Sequence, residues 1–303
     1  MSNASHVIFD RELLLRRRDR HAAHAKAHDF LLRHAAEDIV DRLTLVRRTF
    51  PVAVVLGAGH GVLSEAIGAL SGIGLVVSAD PSARALETAG GLRVVADEEA
   101  LPFGAGILDL VVSALSLQLV NDLPGALVQI RRALKPDGLF LGAMLGGATL
   151  YELREALVVA ETETTGGASP RVAPFADVRD LGGLLQRAGF ALPVADSDTV
   201  EVGYASALDL MRELKGMGWS NMLVERSRRP LGRVTLMRAA EIYAERYGRP
   251  DGRVKATFEI VTLTGWVPHE SQQKPLRPGS ATSRLADALG VDERRTGGDT
   301  DGT

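Results

Sequence analysis

Between Pro51 and Met144, short bare apolar runs alternate with stretches of helical texture, and few folds can accept that pattern. VAVVL (52–56) ends in Gly57, GLVVSAD (74–80) ends at Asp80-Pro81, and LRVVAD (92–97), LDLVVSAL (108–115) and LFLGAM (139–144) complete five runs. The first, a bare apolar run, reads as a strand buried on both sides, and the other four read as further strands. Helices are expected at about 60–70 and 122–134, the second closed by Lys135-Pro136-Asp137-Gly138. Strands alternating with helices over some ninety residues give βαβ units and a parallel, doubly wound α/β sheet, whose carboxyl ends meet where such sheets hold ligands.

The flanks have a different texture. Residues 10–48 are Ala- and Leu-rich and read as helical. After Gly146-Gly147, helices are expected near 150–161, 176–188, 206–215 and 231–247, with strands at Val200–Tyr204 and 258–266. Those two strands would add an antiparallel pair to the sheet edge, making seven. The expected organisation is an N-terminal helical segment (1–48), a Rossmann-like ligand-binding core (49–145), a helical insertion with the final strands (146–270) and a polar, Gly/Pro-rich, disordered tail (271–303).

Composition removes several function classes. Lys and Arg number 35 against 38 Asp and Glu, a net charge of −3 that offers no surplus for neutralising a polyanion. Aromatic residues make up 5% of the 303, too sparse for a base-stacking platform, so no nucleic-acid partner is expected. With no cysteine there is no thiolate nucleophile, disulfide scaffold or Cys-based metal site. No stretch approaches the ~18 apolar residues of a membrane span, and the first twenty residues lack a secretory apolar core, which together predict a cytoplasmic protein.

The strongest local signal is Gly57-Ala58-Gly59-His60-Gly61, between the first strand and first helix. Glycines there allow a tight turn and close backbone approach to a ligand, beside the amides of a helix N-terminus. The third glycine comes one place earlier than the dinucleotide pattern requires, since Val62 stands where that pattern has Gly. The G-x-G-x-G spacing suits a nucleoside without a pyrophosphate, S-adenosylmethionine (SAM) above all. Asp80, nineteen residues beyond Gly61, can accept two ribose hydroxyls, and Asp97 can accept the exocyclic amine of adenine; each alone also reads as a turn or helix cap. His21, His24 and His28 would share a helix face, and Arg16–Arg18 form a basic run; both read more simply as solvated faces, and no metal site is expected. His60 reads equally as a ligand contact and as a surface residue at the helix start. No nucleophile elbow or H-E-x-x-H motif is present.

Longer motifs carry a resemblance. Phe9-Asp10-Arg11 with Arg17-Arg18-Asp19-Arg20, Ala96-Asp97-Glu98-Glu99-Ala100-Leu101-Pro102-Phe103, Ser113-Ala114-Leu115-Ser116-Leu117, Val120-Asn121-Asp122-Leu123-Pro124 and Leu134-Lys135-Pro136-Asp137-Gly138 resemble the class I SAM-dependent methyltransferases. Thr149-Leu150-Tyr151-Glu152-Leu153-Arg154, Ser169-Pro170, Pro174-Phe175, Gly216-Met217-Gly218 with Ser220-Asn221, and Gly265-Trp266 with His269-Glu270-Ser271 are narrower. They are similar to bacterial homologues of mitochondrial complex I assembly factor 5, from about Ile8 to Ala281. The resemblance implies the seven-stranded methyltransferase fold and SAM as cofactor. It places Gly57, Ala58, Gly59 and Gly61 along the methionine and ribose, Asp80 with Pro81 at the ribose, Asp97 with Glu98 at the adenine, and Ser113 near the sulfonium. It also implies a protein acceptor, the iron–sulfur subunit of NADH:quinone oxidoreductase, modified by methyl transfer or arginine hydroxylation. Carboxyl methylation of the malonyl carrier-protein type and a non-catalytic assembly partner are the alternatives.

Tyr151, Arg154 and Trp219 are the candidate acceptor contacts, each with an equally plain core or surface role. The chain departs from the family pattern in having Val55 where an acidic residue usually meets the methionine ammonium, and Gln118 and Leu119 where His and an aromatic are common. Loss of that carboxylate predicts binding weakened by about 1–3 kcal/mol. No facial-triad spacing that would hold an oxygenase iron is visible.

Overall fold

A computed structural model describes residues 7–272; the expected disorder of the tail falls, from residue 273 on, outside the described residues. The five apolar runs form β1 (Phe50–Leu56), β2 (Ile73–Asp80), β3 (Leu92–Val95), β4 (Leu108–Ala114) and β5 (Leu134–Leu145), followed by β6 (Ala191–Tyr204) and β7 (Val254–Trp266). Their order is β3-β2-β1-β4-β5-β7-β6, parallel through β5, with β7 antiparallel to both neighbours. The strand order reverses direction at β1 and β4, which opens a crevice at their carboxyl ends.

Helices cover both faces, as bare apolar strands require. On one face α2 (Phe30–Leu45), α3 (Val62–Gly68), α6 (Tyr151–Thr165) and α9 (Arg233–Tyr247) bury Ile39, Ile67, Ala156 and Tyr243 against Val55, Val112, Leu141 and Phe258. On the other, α5 (Leu123–Ala133) and α7 (Val178–Arg187) pack Leu127, Ile130, Leu181 and Leu185 against Val54, Val111, Phe140 and Val261. Helix α5 starts where Asp122 Oδ1 accepts the Gly125 N–H at 2.8 Å, with Pro124 in the first turn, where its missing N–H is harmless.

The structure differs from expectation in three places. Residues 10–48 are two helices, α1 (Arg11–His21) and α2, joined by a 3₁₀ segment at Ala22–His28, so His21, His24 and His28 do not share one α-helical face. Lys135–Gly138 is a bulge within β5: Leu134 pairs with Leu108 and Leu139 with Leu110. β6 begins nine residues before the expected Val200, because an edge strand with no fully buried residue carries no apolar signature. Its partner β7 returns only after α8 (Ala207–Gly216) and α9, so the antiparallel pair is not a tight hairpin.

Candidate functional site

The crevice is an open pocket floored by Gly57, Gly59 and His60 from the β1–α3 loop, Asp80 at the tip of β2 and Ala114–Ser116 at the end of β4. Arg18 and His21 of α1, the 3₁₀ segment with His28, Asp29, and the Gly216–Trp219 turn after α8 form its roof. Gly57 makes the loop possible: its φ is +64°, and a Cβ there would stand 2.1 Å from Ser116 Oγ. At Gly59 an added Cβ would meet nothing within 4 Å, so that backbone faces open space. Gly61 does different work. Its φ is +91° and a Cβ would lie 2.9 Å from Ala89 Cα, so it seats α3 against the turn at residue 89 rather than lining the cavity.

Asp80 is buried and tied to the loop it serves. Oδ2 accepts the Gly59 N–H at 3.0 Å and Oδ1 accepts the Ser82 N–H at 2.8 Å. Arg18 Nη1 stands 3.5 Å from Asp80 and 3.3 Å from Glu98, while Nη2 donates to Ser116 Oγ at 3.0 Å. Ser116 Oγ in turn donates to Glu98, whose other oxygen accepts Arg11 Nη2 at 2.6 Å. Burial would raise the Glu98 carboxyl, but the Arg18 and Arg11 charges outweigh it and lower its pKa to about 2. Two arginines from α1 thus lie across carboxylates at the tip of β2 and in the turn after β3. Arg11 and Arg18, seven residues apart, share a helix face. The basic run is therefore not a solvated face: Arg18 lies in the crevice, Arg17 donates to the carbonyls of Ser220 and Asn221, and only Arg16 is exposed.

Other expected residues are placed as follows. Asp97 does not line the cavity; its side chain is 42% exposed, pairs with Arg11 at 2.6 Å, and caps its own turn by accepting the Glu99 N–H. β3 ends at Val95, so Asp97 belongs to the following turn, and Glu98 is the buried carboxylate there. Ala58 is buried and its N–H bonds the Ala79 carbonyl, stitching the tips of β1 and β2. Pro81 is half-buried beside Asp80. Ser113 lies within β4 with its Oγ buried and unpartnered; the wall proper is the next three residues. Val55 is buried in the core.

His60, which sequence left open, is buried: Nε2 meets Asp29 Oδ2 at 3.0 Å, and Arg33 Nε holds Oδ1 at 2.9 Å. Burial would raise the Asp29 carboxyl, but hydrogen bonds from Arg33 and His60 prevail and lower it, so it stays ionised. His28 Nδ1 pairs with Glu213 at 2.9 Å. Among the described residues no three His, Asp or Glu side chains are placed to hold a metal.

Beside this crevice is a second, mainly apolar cavity, walled by Phe9, Leu119, Leu150, Phe175 and Met222 with Gln118 and Arg171. Trp219 lines both. Gln118 donates through Nε2 to the Leu115 carbonyl, leaving its buried Oε1 without a partner, and Arg171 Nε is likewise unpartnered. Tyr151 and Arg154 line neither cavity. Tyr151 packs edge-on against Tyr247 under Lys255, and Arg154 donates to the carbonyls of Thr149 and Ala173, bracing the loop that forms one wall.

Comparison with known proteins fits this geometry. The Methyltransferase domain family matches residues 54–142, the span from β1 to β5 that builds the crevice floor. Human mitochondrial arginine-hydroxylase NDUFAF5 is 45% identical over 282 residues, covering 91% of this chain and 81% of the human protein. This chain belongs to the NDUFAF5 family. It is an enzyme of the SAM-dependent methyltransferase type. A malonyl-[acyl-carrier protein] O-methyltransferase of Methylovorus is 34% identical over 279 residues, 88% of this chain and 92% of its own length. Among solved structures the YcgJ protein of Bacillus subtilis shares the fold, with a TM-score of 0.54 at 12% identity, over 78% of this chain and 99% of that one. Among the described residues no helix is long and apolar enough to cross a membrane.

Proposed function

We propose that this NDUFAF5 relative binds SAM in the crevice and modifies a protein side chain presented through the second cavity. The observation carrying the reading is the crevice itself, in which two glycines, the Asp80 carboxylate and the Ala114–Ser116 backbone converge at the reversal point of a seven-stranded sheet. The open side of Gly59 and the cradle that a Cβ at Gly57 would fill fit an adenosyl group lying along the loop. Asp80 would take the ribose hydroxyls. The roof from α1 and Trp219 would exclude water, leaving alignment of acceptor and donor as the main catalytic requirement. Bound SAM supplies an activated methyl group on a sulfonium.

The acceptor we favour is an arginine of the iron–sulfur subunit of NADH:quinone oxidoreductase, in keeping with the arginine-hydroxylase relatives. The second cavity supports a side chain with an apolar stem and a hydrogen-bonding head, since Gln118 keeps a free acceptor among Phe9, Leu119 and Phe175. Carboxyl methylation is the second reading, favoured by Arg171 on the same wall, whose free Nε–H would suit a carboxylate. Calorimetry with SAM and S-adenosylhomocysteine tests the cofactor. Absence of binding at millimolar ligand refutes the proposal. Mass spectrometry of the subunit incubated with and without the enzyme then separates a gained oxygen on arginine from a gained methylene, and an unchanged subunit removes it as the acceptor.

A further inference from the structure

We propose that Asp29, held by His60, is the anchor for the α-amino group of the cofactor in this chain, replacing the carboxylate that position 55 lacks. The assignment rests on the reading that SAM occupies the crevice. The aminoacyl end of SAM carries an ammonium, and burying a cation needs an anionic or carbonyl partner. Val55 is 1% exposed and packs in the core, so the end of β1 offers no carboxylate. Two carboxylates line the crevice, Asp80 and Asp29. Asp80 is engaged by the Gly59 and Ser82 amides and Arg18 at the tip of β2, which suits it to neutral ribose hydroxyls.

Asp29 is 8% exposed, and its Oδ2 meets the ring of His60, a residue of the glycine loop itself. The carboxylate is therefore fixed to the segment along which the cofactor would lie. Arg33 Nε and His60 Nε2 donate to it and Arg33 Nη2 lies 2.9 Å from Oδ2, at most three N–H groups for the roughly four lone-pair sites of a carboxylate. One site remains for an ammonium. Arg33 holds Asp29 from a side chain 55% exposed to solvent, whereas His60 holds it from within the fold.

The test compares binding of S-adenosylhomocysteine with that of its deaminated analogue, S-adenosyl-4-thiobutyrate, by calorimetry on the full chain. The unsubstituted protein is expected to prefer S-adenosylhomocysteine by about tenfold or more, the range of a charge-assisted hydrogen bond. Asp29→Asn is expected to abolish that preference while leaving affinity for the deaminated analogue within about twofold. Equal weakening of both ligands would mean that Asp29 only supports the fold, and an intact preference would place the ammonium elsewhere; either overturns the assignment. Arg33→Gln gives a second arm that leaves Asp29 in place. Relieving the carboxylate of its exposed donor should raise the preference, and a fall or no change counts against the anchor. Failure of the unsubstituted chain to bind either ligand removes the cofactor reading itself, and this assignment with it.

Discussion

Glu98 allows the electrostatics of the crevice to be measured without any ligand. It is 1% exposed, between Arg11 at 2.6 Å and Arg18 at 3.3 Å, and its pKa falls from 4.5 to about 2. At 1.36 kcal/mol per pH unit, that difference contributes about 3 kcal/mol to folding near neutrality. The folded-state pKa is depressed, so the contribution is complete above the unfolded value of 4.5 and disappears as pH falls through about 2. Glu98→Gln keeps the shape and cannot ionise. It should cost about 3 kcal/mol at pH 7, and the gap from the parent protein should shrink to less than half that, about 1.4 kcal/mol, by pH 3. Urea unfolding of both proteins at pH 7, 5, 4 and 3 reads this directly, with far-ultraviolet dichroism confirming a folded baseline at each pH. A gap that stays constant or widens on acidification would refute the idea that the two arginines hold Glu98 ionised.

Other residues give shorter tests. Arg18→Met leaves Asp80 and Glu98 buried without one of their cations and should lower stability by about 3 kcal/mol or more, read as the urea midpoint at pH 7. Gly57→Ala should abolish S-adenosylhomocysteine binding in calorimetry, because its Cβ has nowhere to go but onto Ser116 Oγ at a φ of +64°. Val55→Asp should destabilise the fold by at least about 3 kcal/mol, as a charge placed among Leu110, Val112 and Ala58, and should not raise cofactor affinity; a tighter binder would show that the crevice does reach this strand. Trp219→Ala should weaken S-adenosylhomocysteine and acceptor alike, whereas Tyr151→Phe should leave cofactor affinity unchanged.

The parts of the fold legible in the sequence are those whose burial leaves a one-dimensional trace. Strands covered on both faces must be bare apolar runs, and β1, β2 and β4 were bounded to within a residue or two. β6 left no such trace, since an exposed edge imposes almost nothing on residue type. Within the site, Gly57, Gly59 and Asp80 were legible because a tight turn and a strand tip dictate them. Asp97 was not, because β3 ends two residues before the apolar run does, which leaves Asp97 in the turn and buries Glu98 instead. Arg18, Asp29 and His60 belong to the crevice through contacts 31 to 98 residues apart, and a single charge or ring carries no mark of what it will pack against.

The stitching of the amino-terminal segment bears on how the enzyme is made. Phe9 bridges Leu223, Asp10 N–H bonds the Met222 carbonyl, and Arg17 reaches the carbonyls of Ser220 and Asn221, some two hundred residues downstream. On the ribosome the first helix emerges before every strand; Arg11 and Arg18 can meet Asp80, Glu98 and Ser116 once β4 is made, but the partners of Arg17 and of the Asp10 N–H come only with the turn after α8. Closure of the roof is thus a late, long-range event, of the kind that slows folding and rewards a waiting chaperone.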